Sequence, residues 1–140
     1  MKLFYTLISL LSVQLISAED AKPSFSEFIL GKWEFDIPNA IKEQEKGLKK
    51  ELPEKLKDQV RAQLEGATVI IKKDEIEVLL IASEKKLKYT VKEVGPNYIK
   101  TSITYPLGGV ESRTFIYENN LLYIREGNKN YMILKKPTKQ

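Results

Sequence analysis

From Ala67 to Lys135 the chain alternates, apolar with polar, in short runs cut by turn formers. A period of two marks half-buried strands. Seven such runs follow one another: Thr68–Lys72, Glu75–Ala82, Leu87–Glu93, Tyr98–Tyr105, Glu111–Glu118, Leu121–Glu126 and Asn130–Lys135. The turns between them fall at Lys73-Asp74, Ser83-Glu84-Lys85, Gly95-Pro96-Asn97, Pro106-Leu107-Gly108-Gly109, Glu118-Asn119-Asn120 and Gly127-Asn128-Lys129. Connections this short allow only neighbour-to-neighbour antiparallel pairing. An earlier strand runs from Lys32 to Ile37, with Trp33, Phe35 and Ile37 on one face and Lys32, Glu34 and Asp36 on the other. An open meander of this size exposes two edges, and closure removes both. The sequence therefore predicts a mainly β fold, an up-and-down antiparallel barrel of about eight strands.

A helical insert interrupts the strands. Region 40–65 is rich in Lys and Glu and carries Leu48, Leu52, Leu56, Val60 and Leu64 at four-residue spacing, one narrow apolar stripe. Gly47 weakens the middle of this region, and Pro53 cannot sit deep inside a straight helix. The pattern predicts two short helices over about 39–65. Asp36 or Asn39 caps the first, Pro53 lies in the first turn of the second, and Gly66 ends it. A single helical turn is expected at Ser24 to Leu30, capped by Ser24 or Ser26, with Gly31 turning the chain into the first strand. Trp33, the one Trp, is placed to plug one end of the barrel. The helices are left to cover the other end or pack on its side.

Residues 1–18 read as a secretory signal. Lys2 supplies the basic region, Leu3 to Ile16 the apolar core, and Ala18 a small residue before cleavage. The expected mature protein is a single barrel domain over 19–140, secreted or periplasmic. About 122 residues suffice for a real core. There is no Cys, so no disulfide framework helps it. The absence of Asn-x-Ser/Thr sequons points toward a bacterial exterior. Net charge is +4, only three of the cations are Arg, and Lys is interleaved with Glu throughout. That describes a solvated surface, without the clustered basic face a nucleic acid needs. Glu43, Glu45, Glu51 and Glu54 cancel most of the Lys charge on the helices, which argues against a membrane-surface role.

Gly31-Lys32-Trp33 at the head of an up-and-down barrel resembles the opening strand of the calycins, the lipocalins and fatty-acid-binding proteins. The insert is similar in placement to the helix-turn-helix lid of fatty-acid-binding proteins. The closing Met132-Ile133-Leu134-Lys135-Lys136 resembles that of bacterial lipocalin-like exported proteins. The likeness spans most of residues 28–136. It implies a calycin barrel that binds a small apolar or amphipathic molecule in its interior. In lipocalins a late Arg packs over the Trp; here Lys135, Lys136 or Arg125 would take that place. Fatty-acid-binding proteins hold a carboxylate with Arg-x-Tyr on the last strand. Here that strand reads Tyr131-Met132-Ile133, and Tyr123 and Arg125 stand in reversed order on its neighbour, so the usual carboxylate anchor is missing.

With neither His nor Cys, Ser–His–Asp and Cys–His catalysis are excluded, and zinc or copper would lack their commonest ligands. No Gly-rich phosphate loop occurs, and Asp74, Glu75 and Glu77 cluster at a turn. A non-enzymatic protein with no cofactor or metal is expected. The candidate ligand-binding residues are Trp33, Tyr89, Tyr105, Arg113, Phe115, Tyr117 and Arg125. Arg113, Phe115 and Tyr117 share one strand face. If that face is inward, the guanidinium needs an anion, either a ligand's or a neighbouring Glu such as Glu111. The competing reading is a barrel filled by its own side chains, acting as a protein-interaction or envelope-associated module.

Overall fold

The computed structural model describes residues 24–137, so the expected signal segment 1–18 and its expected cleavage site lie outside the described residues. A short helix, α1 (Phe25–Phe28), leads into β1 (Gly31–Phe35). Helices α2 (Ile37–Leu48) and α3 (Glu54–Leu64) follow. Seven strands complete the chain: β2 (Thr68–Ile71), β3 (Glu75–Leu79), β4 (Glu84–Val94), β5 (Tyr98–Tyr105), β6 (Gly109–Glu118), β7 (Leu121–Glu126) and β8 (Lys129–Lys135). Each pairs antiparallel with its neighbour, and β1 pairs with β8 to close an eight-stranded barrel. This up-and-down architecture is consistent with a calycin-like fold. Among the described residues no helix is long and apolar enough to cross a membrane.

β5 and β7 run over the residues the alternation picks out. β3 and β4 do not. β3 stops at Leu79 because Leu80 N–H donates to the Ser83 carbonyl at 2.8 Å and turns the chain there. Glu84 and Lys85, expected in the turn, therefore pair with Leu79 and Val78 as the start of β4. Asn119 and Asn120 both take positive φ, 55° and 63°, the turn that matches strand twist in a two-residue hairpin.

The first long helix starts earlier than expected, at Ile37. Asp36 is its N-cap, its carboxylate accepting from Asn39 N–H at 3.1 Å, and Pro38 lies in the first turn. Gly66, at φ +76°, turns the chain from α3 toward β2, a conformation a side chain would strain. Gly47 is different. It sits in regular helix, and nothing lies within 4 Å of where its Cβ would stand. Gly47→Ala is therefore expected to stabilise the protein by about 0.5–1 kcal/mol, read as a rise in the chemical-denaturation midpoint at unchanged slope.

Trp33, Val69, Ile71, Ile76, Leu87, Ile99, Ile103, Phe115, Leu122, Ile124 and Leu134 face inward and form one buried cluster. Every strand thus contributes side chains to one buried cluster in the barrel. Trp33 is fully buried near the end where α1 packs. Its indole N–H donates to the Ile29 carbonyl at 2.7 Å, and Tyr117 meets it edge-on with ring centres 6.2 Å apart. The Lys136 ammonium stands 4.2 Å from the indole centre, so Lys136 takes the place that Lys135 and Arg125 also offered.

Tyr89 donates to the Lys72 carbonyl beside the β2–β3 turn. Burial, with the Asp74 charge adding to it, pushes its phenol up to about 12. A raised folded-state value means that the folded protein holds the proton longer than the unfolded chain. The stability Tyr89 contributes is then complete below about pH 10 and is lost as pH rises toward about 12. Ultraviolet titration of phenolate absorbance is expected to show late tyrosine ionisation that includes Tyr89, with denaturant resistance falling over the same interval.

Candidate cleft at the helical end of the barrel

The meander puts the β3–β4, β5–β6 and β7–β8 turns at the same end as the α2–α3 crossover, opposite Trp33. Here the β1–β8 seam is short. Only Glu34 with Lys135 and Phe35 with Leu134 are in register, followed by Asp36 N–H to the Ile133 carbonyl at 2.9 Å. β8 runs on beyond β1, and α2 packs on it. Ile133, whose parity points outward, is buried, as is Ile41 of α2.

The packing here is incomplete and leaves a gap. An open cleft of about 640 Å³ lies between the helices and β8. Ala40, Gly47 and Leu48 of α2 line one side, Val60 and Leu64 of α3 another. Residues 129–133 of β8 form the opposite wall, and Phe35 contributes from the end of β1. Phe35 and Met132 also pack against the barrel core. The stripe legible in the sequence is only partly covered. Leu52 is buried, but Leu48 and Leu56 are exposed at 55% and 43%, and no residue of α3 is buried.

Polar contacts hold the helices at this distance. The Glu43 carboxylate accepts from the Asn130 side-chain amide at 3.1 Å, and Asn130 Oδ1 accepts from Arg125 Nε at 2.6 Å. Arg125 also reaches Glu118 at 3.1 Å and lies over the Tyr123 ring, 4.9 Å from its centre. Arg125 therefore faces outward and ties the β7–β8 hairpin to α2. Between the helices, Lys57 lies 2.9 Å from Glu51, 3.4 Å from Glu54 and 3.9 Å from Glu45. The bond to Glu51 holds the Lys57 ammonium above its ordinary range.

Arg113 points inward at the same end and is 4% exposed. It bonds Glu111 and Tyr105, lies 3.4 Å from Glu126, and is 5.1 Å from the centre of the Tyr131 ring. The anion that an inward guanidinium requires comes from the protein's own Glu111 and Glu126. Hydrogen bonds from Tyr105 and Arg113 hold the Glu111 carboxyl below its usual range. Burial, then the bond to Glu111, raises the Tyr105 phenol.

The seven candidate residues do not form one site. Tyr105 and Arg113 meet at the helical end, and Arg125 lies on the outer face beside it. Trp33 and Tyr117 meet at the opposite end, while Phe115 and Tyr89 pack in the core with tilted rings whose centres are 5.6 Å apart. The cleft residues Ala40, Glu43, Gly47, Asn130 and Met132 were not among the candidates. Their one sequence signal is the helical stripe through Val60 and Leu64, which has no obvious counterpart elsewhere in the chain. No family model, curated protein or solved structure matches the chain.

Proposed function

We propose that this is an exported, non-enzymatic, lipocalin-like binding protein that holds a small apolar or amphipathic molecule in the cleft between α2, α3 and β8. The lipocalin-like reading is supported by Gly31-Lys32-Trp33 on the first strand and by the Lys136 ammonium over the indole. The observation that carries the ligand reading is the cleft. It measures about 640 Å³, within the usual range for small-molecule sites, and it is walled by half-buried aliphatic side chains. The barrel interior is the less favoured site because its inward side chains pack into one buried cluster.

The test is fluorescence titration of the mature chain with N-phenyl-1-naphthylamine, an uncharged apolar probe. A saturable rise with displacement by single-chain amphiphiles is expected. A linear, unsaturable response would overturn the proposal. A second reading, an interaction module, draws on Ile81 and Leu107, which are 77% and 102% exposed at neighbouring hairpin turns of the helical end.

A further inference from the structure

We infer that the ligand of this cleft carries an uncharged polar head, such as a glycerol or other hydroxylated group, rather than a carboxylate, phosphate or ammonium. The inference rests on the cleft reading above and concerns the charge of the ligand.

It follows from how the charges at this end are spent. Glu43 and Lys129 are the charged side chains that line the cleft, and Arg113 and Arg125 stand behind it against its lining residues Tyr131 and Asn130. Both guanidiniums bond the protein's own groups, with only the buried Arg113 Nε left without a partner. Arg113 is held by Glu111, Glu126 and Tyr105, and Arg125 by Glu118 and Asn130. An anionic head would have to compete with carboxylates that are covalently part of the protein and already in place. Lys129 also lines the cleft but is exposed, and an ion pair there contributes little. An anion seated here would lose water and gain little beyond the exposed Lys129.

A cationic head fares no better. Glu111 and Glu118 are bound to Arg113 and Arg125, Glu126 lies beside Arg113, and Glu43 accepts from Asn130. The polar groups the cleft does offer are amides, those of Gln44, Gln63 and Asn130. Amides both donate and accept, as hydroxyls do. The aliphatic walls take the chain, and the amides at the edge take an uncharged head.

The experiment matches the chain and varies the head. Monomyristoylglycerol, myristate and tetradecyltrimethylammonium are each used to displace N-phenyl-1-naphthylamine from the mature protein at about pH 8. All three are kept below their micelle concentrations. The expected result is that monomyristoylglycerol displaces the probe about tenfold or more better than either charged amphiphile. Equal or tighter displacement by myristate or by the ammonium overturns the inference while leaving the cleft reading intact. Failure of the probe itself to bind overturns the cleft reading, and this inference with it.

Discussion

Replacing Trp33 with alanine is expected to lower the unfolding free energy by about 3–5 kcal/mol, the cost of emptying a large aromatic from a packed core. The indole is fully buried, bonds Ile29 through its N–H and carries Tyr117 and Lys136 on its surfaces. Its loss therefore opens a void, orphans a buried carbonyl and detaches α1 from the end of the barrel. Against a typical total of about 5–15 kcal/mol, that loss leaves the barrel marginal. Urea unfolding followed by far-ultraviolet circular dichroism is the measurement, since the variant has no Trp to watch. Trp33→Phe separates the contributions. It keeps much of the volume but leaves the Ile29 carbonyl unbonded, so a smaller loss is expected, of which about 1–3 kcal/mol comes from that carbonyl. A loss below about 1 kcal/mol for the alanine variant would mean that the end of the barrel is closed by something other than the indole.

The second large effect concerns binding. The double variant Gly47→Phe, Val60→Phe fills the cleft from both helices. Probe affinity is expected to fall about tenfold or more, with circular dichroism and thermal midpoint near those of the parent. The fold should tolerate the change because no residue of α3 is buried and the Cβ position of Gly47 is open. Gly47→Ala, which adds one methyl at the same place, serves as the control: it should keep full affinity while raising stability. Undiminished binding by the filled variant would place the probe elsewhere.

The barrel was legible because its signals are local. Strand pairing between neighbours is dictated by the turn that joins them, as at Asn119-Asn120, and parity by which residues are apolar, as along Tyr98–Tyr105. The Asp36 cap and the break around Pro53 were legible for the same reason, since each is settled within a few residues. The β3–β4 turn was misplaced because Leu80 to Ala82 continue the apolar run, and only the bond from Leu80 to Ser83 shows where it ends. The inward parity of Arg113 was open in the sequence, because its burial depends on Glu126 and Tyr131, which reach it from other strands. Beyond the helical stripe that forms one of its walls, the cleft was not legible. It is bounded by groups as far apart in the chain as Glu43 and Asn130, and it exists because β1 stops short of β8 while the helices stand off from the gap. A shortfall in packing leaves no mark in a periodicity.

The central claim is that the binding space lies outside the barrel core, under the helices. Nitrogen-15 amide spectra of residues 19–140, recorded while the neutral probe is added, test it most directly. The account predicts that shifts concentrate in residues 40–48, 60–64 and 129–133, with the amides of Ile99 and Trp33 unmoved. Shifts centred on Trp33, Ile99 and Phe115, with the helices silent, would put the ligand inside the barrel and contradict it.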